Sequence, residues 1–291
     1  MKIKIDQLII YGLLFLITLT MLVPILNIFA LSFTAPDRVA EVKGFTIWPK
    51  GFSLINYQVL LNNAMILKSL FNSMLITIIG TAISLVSTAM AAYTLTRENL
   101  VGRKFLMTVL IIVMVFEPGL IPEYLVIKEI GLIDSYWSVI LFKAVNVYYL
   151  IILMRFFEEV PKSLIEAARI DGAGHLAVLF KVLLPVLKPA MATIGLFYAV
   201  FRWNEYFRAS IYLNSSSKWP LQVILRQFVV LDDTATMLGA NNLLSYNEAA
   251  QLNFEALQAG TIVIALVPVL LLYPLILKYF TKGTMDGSIK H

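Results

Sequence analysis

The chain has 291 residues, of which 59% are hydrophobic and 14% charged, and its mean hydropathy is +0.83. A soluble domain carries about 25% charged residues, so this composition excludes that class and indicates a polytopic membrane protein. Cysteine is absent, which excludes disulfides and thiolate metal sites, and only two histidines argue against any other metal site. We therefore expect an all-α chain whose helices cross a bilayer.

The N-terminal segment has the features of a signal anchor. Lys2 and Lys4 precede an uncharged stretch, residues 7–36, that is much longer than the core of a cleaved signal, which has about 7 to 15 residues. We therefore predict that residues 1–68 form an anchor span followed by an outer loop. Residues 69–291 are predicted to form the core of the protein.

Six stretches of the chain are candidate membrane spans. Three are uncharged and exceed the roughly 20 residues that a helix needs to cross: residues 7–36, 69–96 and 256–277. Three others contain charged residues and are counted as spans three, four and five: residues 105–127, 136–154 and 182–206. Span three contains Pro118 and Pro122, so we expect it to break there, with its free backbone groups shielded by protein or water.

The distribution of basic residues predicts the orientation. Six spans place both termini on one side, together with the segments between spans two and three and between spans four and five. Taken as residues 1–7, 97–104, 155–188 and 278–291, this face holds 13 basic and 7 acidic residues, against 10 and 11 in the rest of the chain. An excess of Lys and Arg marks the cytoplasmic side, so both termini are predicted to be cytoplasmic. The pI of about 9.2 reflects this bias and does not imply nucleic-acid binding.

The most specific pattern lies between spans four and five. It consists of Glu166-Ala167-Ala168, three residues, Gly172, nine residues and Val182-Leu183-Leu184-Pro185. This spacing resembles the cytoplasmic EAA loop of permease subunits of binding-protein-dependent ABC importers, with Val182 where that pattern has Ile. Three other segments look like carbohydrate-type permeases of the same family: residues 203–207, 219–222 and 279–283.

The residues of this loop suit a docking element. Pro161 is typical of a first helical turn, and Asp171-Gly172 predicts the end of that helix. Small alanines allow another protein to approach, and a glutamate can form a charge-assisted hydrogen bond to a basic partner. By resemblance, the residues that couple to an ATPase are Glu166, Ala167, Ala168, Asp171, Gly172 and Pro185. The alternative is an amphipathic helix lying on the membrane surface.

The resemblance implies a fold and a set of partners. The fold has six transmembrane helices, with the EAA loop at residues 161–189 docked on an ATP-binding subunit. The partners are a second permease in a heterodimer, a dimer of ATP-binding subunits carrying ATP and Mg, and an extracytoplasmic solute-binding protein. The location is the bacterial cytoplasmic (inner) membrane. The C-terminal tail, residues 281–291, is expected to reach the ATPase too, with Gly283 and Gly287 making it flexible.

The chain itself has no motif for catalysis or cofactor binding. The glycines at 283 and 287 do not form a phosphate-binding loop, because their spacing is wrong and Ser288 replaces the required lysine. We find no nucleophilic serine motif and no zinc-binding H-E-x-x-H motif either. We therefore expect a non-catalytic subunit, with ATP hydrolysis on its partner.

Polar residues inside the predicted spans are candidates for a substrate cavity, because a charge at that depth costs roughly 2.5 to 3.5 kcal/mol. If span four is one helix, Lys143 shares a stripe with Tyr136 and Asn146. A cation beside amide and aromatic groups suits a sugar that carries carboxylates. The candidate cavity residues are Lys143, Asn146, Tyr149, Tyr198, Arg202, Trp203 and Asn204.

Several of these residues also have structural interpretations. Lys143 could pair with an acid on the partner permease or extend to the membrane interface. Arg202 and Glu205 are spaced to pair with each other, as are Glu205 and Arg208. Trp203 could instead be an interfacial anchor.

The sequence therefore predicts the permease subunit of an ATP-driven oligosaccharide importer. Within the family it looks closest to the subgroup that handles alginate and pectin fragments, and its basic span residues favour acidic sugars. Importers of polyamines or phosphate, which also have EAA-type loops, are the alternative. A secondary transporter would need a membrane-embedded acid relay and inverted repeats, and the sequence shows neither. Predicted outer loops, residues 34–68 and 214–255, face the side from which a binding protein delivers substrate.

Overall fold

The structure is a computed structural model, and it describes residues 5–97, 99–233 and 252–287. These residues are mostly helical, and their only β pairing is an isolated bridge between Thr34 and Phe52. The α-helices are, in chain order, α1 (Ile5–Ser32), α2 (Ile55–Asn62), α3 (Ala64–Leu95), α4 (Arg103–Val115), α5 (Leu120–Glu129), α6 (Tyr136–Ile140), α7 (Val147–Glu158), α8 (Lys162–Ile170), α9 (His175–Ala177), α10 (Leu184–Val186), α11 (Lys188–Trp203), α12 (Phe207–Tyr212), α13 (Leu221–Leu225) and α14 (Phe254–Gly287). Short 3₁₀-helices occupy Pro36–Glu41 and Ser216–Lys218, and π-helices occupy Val178–Leu183 and Arg226–Val230.

Three helices are long and apolar enough to cross a bilayer. They are Ile9–Ser32 in α1, Ala64–Leu95 in α3 and Phe254–Leu272 in α14. Their positions confirm the three uncharged stretches, in which an unbroken helix satisfies its own backbone hydrogen bonds. The described part of the predicted tail is helical, because α14 continues as far as Gly287.

Two further spans consist of bent helix pairs. Helices α4 and α5 meet at 115°, and His175–Val186 meets α11 at 89°. The first bend lies at Pro118, as predicted, and the adjacent Gly119 has φ 80° and ψ 171°, a conformation essentially restricted to glycine. Pro122 lies in the first turn of α5, where its missing N–H loses no helical hydrogen bond. Counting each bent pair as one gives up to five spans by length and composition.

The predicted fourth span, residues 136–154, is not a single helix. Residues 141–146 separate α6 from α7, and Lys143 among them has φ 45°. The side chain of Asn146 accepts hydrogen bonds from two N–H groups in the first turn of α7, so this residue caps a new helix. The expected helical stripe of Lys143, Tyr136 and Asn146 is therefore wrong. In the part of the chain that the structure describes, six continuous spans are not observed.

The chain divides into two compact units, one of residues 1–70 and 223–268 and the other of residues 71–222 and 269–291. In the first unit, the loop after α1 is firmly attached to the end of that helix. The buried Asn56 side chain donates to the carbonyls of Ser32 and Thr34, at 3.0 and 3.1 Å. Tyr57 shares a 2.8 Å hydrogen bond with the Ser32 hydroxyl. This predicted outer loop is therefore a folded element with its own helix, α2.

The second unit has an apolar core formed by α3, α7, the π-helix and α11. Representative buried residues from these four elements are Ala89, Leu153, Val178 and Ile194. Two small residues at the end of α8, Ala168 and Ala173, pack against this core. The loop between α7 and α11 is therefore packed against the apolar core of this unit through Ala168 and Ala173.

Replacement of Asn146 by alanine should destabilise the protein by about 1 kcal/mol, because two N–H groups of α7 lose their acceptor. We expect a lower midpoint of thermal unfolding for Asn146→Ala in detergent, and a smaller change for Asn146→Asp, which keeps an acceptor. Asn214→Ala, at an exposed position outside the helices, is the matched control. Equal midpoints for Asn146→Ala and Asn214→Ala would contradict the capping role.

Candidate functional site

Helix α8 ends in a tight glycine corner, residues 171–174. Gly172 has φ 81°, in the left-handed region. Its N–H donates to the Arg169 carbonyl at 3.0 Å, and the Ala173 N–H donates to the Ala168 carbonyl at 2.9 Å. These two bonds form a Schellman motif, which satisfies carbonyls that a helix end otherwise leaves free. The helix end predicted at Asp171-Gly172 is therefore confirmed.

Helix α8, the corner and the segment that follows them present both polar and apolar groups. Glu166, Ala167, Asp171, Gly172 and Pro185 are exposed, and Ala168 is half-buried. The large side chains on either side of the corner are also open: Ile170 is 86% exposed and Leu176 is 63% exposed. Exposed apolar groups around a rigid turn are typical of a surface that another protein or the membrane covers. Their participation in coupling stays a prediction.

A cavity of about 630 Å³ lies beside α8, near the ends of α3 and α7, and Glu166 is one of the residues that line it. At its edge His175 connects the glycine corner to α3. The imidazole contacts the Tyr93 hydroxyl through Nδ1 and the Arg97 guanidinium through Nε2, both at 3.2 Å. Because a guanidinium only donates, Nε2 must accept, and Nδ1 therefore carries the proton and donates to Tyr93. No pattern in the sequence singles out Tyr93, in the last turn of α3, or Arg97, two residues after that helix ends.

Arg202 and Tyr198 lie one turn apart on α11 and are both buried. The Arg202 guanidinium donates to the Val139 carbonyl at 2.6 Å and to the Ser84 hydroxyl at 3.2 Å. The Tyr198 hydroxyl accepts from the Asn146 N–H at 2.9 Å and shares a 2.7 Å hydrogen bond with Thr88. These two α11 side chains therefore hold the end of α6 and the start of α7 on either side of the break.

Gly80 on α3 provides the space for the Arg202 side chain. A Cβ at this position would lie 2.9 Å from Nε of Arg202, closer than side chains normally approach. The guanidinium is unable to shift without losing its hydrogen bonds to Val139 and Ser84. Sequence analysis did not identify Gly80, although its spacing of four from Ser84 places both on one face of α3.

Two sets of ion pairs join the broken segments. Lys143 lies 2.5 Å from Glu117, and both lie in breaks between helices. Arg208 pairs with Glu123 at 3.0 Å and with Glu205 at 3.7 Å. The acid that pairs with Lys143 thus belongs to this chain, and Glu205 pairs with Arg208, which was one of the pairings predicted from the sequence.

A second cavity of about 630 Å³ is mostly apolar. Three of the predicted cavity residues line it: Tyr149, Trp203 and Asn204. The other four lie elsewhere, Tyr198 and Arg202 in the packed interior and Lys143 and Asn146 in the break before α7. Three of the seven predicted cavity residues therefore share one cavity and four do not. The contact of each residue with substrate stays a prediction.

Known proteins resemble this chain along most of its length. The family model described as "Binding-protein-dependent transport system inner membrane component" matches residues 89–286. The polygalacturonan/rhamnogalacturonan transport system permease protein YtcP of Bacillus subtilis is 42% identical over 290 residues, covering 100% of both chains. Protein LplC of the same organism is 40% identical over 92% of this chain and 89% of its own. A crystal structure of a bacterial ABC transporter involved in the import of the acidic polysaccharide alginate contains a chain with TM-score 0.87 and 32% identity. This match covers 95% of this chain and 96% of that one.

Gly80→Ala should destabilise the protein by about 1 to 3 kcal/mol, because the new methyl group displaces the Arg202 guanidinium. In an Arg202→Met background, Gly80→Ala should destabilise the protein less, because a methionine side chain can move aside. A double-mutant cycle of thermal unfolding in detergent measures this coupling, expected at roughly 0.5 to 3 kcal/mol. Gly12→Ala is the control, because a Cβ there meets nothing within 4 Å. Strictly additive effects would show that Gly80 does not accommodate Arg202.

Proposed function

We propose that this chain, which belongs to the family of binding-protein-dependent transport system inner membrane components, is the membrane-spanning subunit of an ATP-driven importer of polysaccharide fragments. The observation that carries the proposal is the glycine corner, where a Glu-Ala-Ala helix ends in a left-handed glycine between exposed apolar side chains. Relatives named for polygalacturonan, rhamnogalacturonan and alginate transport support oligosaccharides that contain uronic acids as the cargo.

In this proposal the corner docks on the ATP-binding subunit. The exposed Ala167 lets the partner approach α8 closely, and Glu166 forms a charge-assisted hydrogen bond with a basic group of the partner. Ile170 and Leu176 become buried on docking, which contributes apolar contact area. ATP and Mg²⁺ bind to the partner, and this chain contributes no catalytic residue.

Movement of the docked corner is transmitted to the spanning helices by fixed contacts. The Schellman turn and the packing of Ala168 and Ala173 prevent α8 from sliding over the core. His175 connects the corner to α3, and the π-helix with Pro185 connects it to α11. ATP-driven movement of the corner therefore moves α3 and α11 together. In the proposed alternating-access mechanism, this movement switches the cavity between outward-open and inward-open states.

The remaining parts of the importer follow from the same reasoning. Counting α6 and α7 together as the sixth span puts both termini on one side of the membrane. The excess of basic residues on that side supports the cytoplasm of a bacterium, with this subunit in its cytoplasmic membrane. A second permease subunit completes the translocation path, and a solute-binding protein delivers the sugar from outside. Tyr149, Trp203 and Asn204 line the sugar path, since aromatic faces with one amide suit a sugar ring.

Combining Glu166→Ala with Gly172→Pro should uncouple the transporter. Proline requires a negative φ where Gly172 has 81°, and it removes the N–H that donates to Arg169. In proteoliposomes containing the complete complex, we expect sugar-stimulated ATP hydrolysis to fall roughly tenfold, within the usual range of coupling free energies. The sugars to compare are neutral and uronic-acid oligosaccharides of equal length.

Gly174→Ala is the matched control for this experiment. Gly174 has φ −70° and open space around its Cα, so an alanine there leaves the corner unchanged. Sugar-stimulated hydrolysis in this variant should stay at the wild-type rate. Wild-type rates in the Glu166→Ala, Gly172→Pro variant, or no ATPase subunit copurifying with the wild type, would contradict the proposed function.

A further inference from the structure

The ion pair of Lys143 and Glu117 is open to solvent within spans that are otherwise apolar. The Lys143 side chain is 36% exposed and that of Glu117 is 65% exposed, although their Nζ and Oε1 atoms are 2.5 Å apart. Charged groups at membrane depth face a bundle interior or a water-filled cavity, because contact with lipid is too costly. In a membrane this pair therefore faces the bundle interior or a water-filled cavity, and not lipid.

The neighbouring ion pairs of Arg208 have a different character. Its two acidic partners are largely buried, with Glu205 only 6% exposed and Glu123 17% exposed. Glu123 also accepts a hydrogen bond from Tyr212, and the guanidinium lies 3.9 Å above the Phe142 ring. Displacing either acid would leave a buried carboxylate without its partner, so this group is a fixed structural element.

We propose that Lys143 binds a uronate carboxylate of the transported sugar, and that Glu117 remains paired with Lys143 until the sugar carboxylate displaces Glu117. This inference rests on the proposed function and adds to it a residue that determines specificity. The transported ligand is thereby an oligosaccharide with at least one ionised carboxyl group.

The exchange explains why an acid must accompany this lysine. Without an accompanying acid, the ammonium group would attract any small anion in the empty transporter, and no group would be present to replace the sugar carboxylate on release. With Glu117 present, one carboxylate replaces another on the same ammonium group, so binding changes the free energy little. The displaced Glu117 moves into water, which its high exposure allows. A neutral sugar has no group that competes with this carboxylate.

The surroundings of Lys143 suit a sugar. Phe142 stacks against Phe201 with ring centroids 6.1 Å apart, and Phe201 lines the apolar cavity that contains Tyr149 and Trp203. The stacked pair therefore links the segment of Lys143 to that cavity, whose lining supplies the aromatic faces for a sugar. The backbone of Lys143 has φ 45°, which is uncommon outside glycine and typical of residues held in place for a function.

Transport of trigalacturonate and of its fully methyl-esterified form by the reconstituted complex tests the exchange. Lys143→Met should lower kcat/KM for trigalacturonate about tenfold and leave the ester within about twofold, because only the acid loses a charge-assisted bond. Glu117→Gln should raise kcat/KM for trigalacturonate, since the competing carboxylate is gone. Lys128→Met removes an exposed cation at the end of α5 and is the matched control.

Exchange predicts that kcat/KM for trigalacturonate falls in Lys143→Met and rises in Glu117→Gln, which a structural role does not predict. If the pair only stabilises the fold, both variants lower uptake, and they lower it equally for trigalacturonate and for its ester. Either result overturns the proposal. A binding protein that prefers one sugar affects every variant alike and cancels in the comparison. If the wild type shows no sugar-stimulated ATP hydrolysis with any oligosaccharide, the importer function itself fails, and this inference fails with it.

Discussion

The buried guanidinium of Arg202 donates to the carbonyl of Val139, which lies in the last turn of α6, where no partner within the helix is available. One turn earlier on the same helix, the Tyr198 hydroxyl accepts the N–H of Asn146, the residue that caps α7. A single face of α11 therefore satisfies both ends of the break between α6 and α7. A backbone interruption at membrane depth is tolerated only where such partners exist, so the position of Lys143 depends on these two side chains.

Burial divides the charges of the second unit into two functional classes. Arg202 and the group around Arg208 are enclosed, hydrogen-bonded and fixed, and their role is to hold helices together. Lys143 and Glu117 have equally short contacts but are open to water, so they can change partners at low cost. Contact distances alone do not separate the Lys143–Glu117 pair from the contacts of Arg202 and Arg208. Exposure distinguishes the one pair for which we propose an exchange with a ligand.

The features that sequence analysis predicted well are those that local chemistry determines. An uncharged stretch satisfies its own backbone as a helix, a proline breaks one, and Asp171-Gly172 ends one whatever surrounds it. The break before α7 was missed because residues 136–154 are apolar enough for a continuous helix. Its decisive partner, Arg202, lies 63 residues from Val139, a distance that no local pattern reveals. The capping asparagine was visible in the sequence, but it was assigned to a cavity.

The glycine corner also has consequences for how the subunit is assembled. Ile170 and Leu176 are open at a rigid turn, and no contact within the described part of the chain covers them. In the proposed importer, a newly made copy that has not met its ATP-binding partner would present these two apolar side chains to the cytoplasm. Chaperones and proteases recognise such groups, so orphan copies would be removed while assembled ones are spared. The surface proposed to receive mechanical force would then also keep the two subunits in equal amounts.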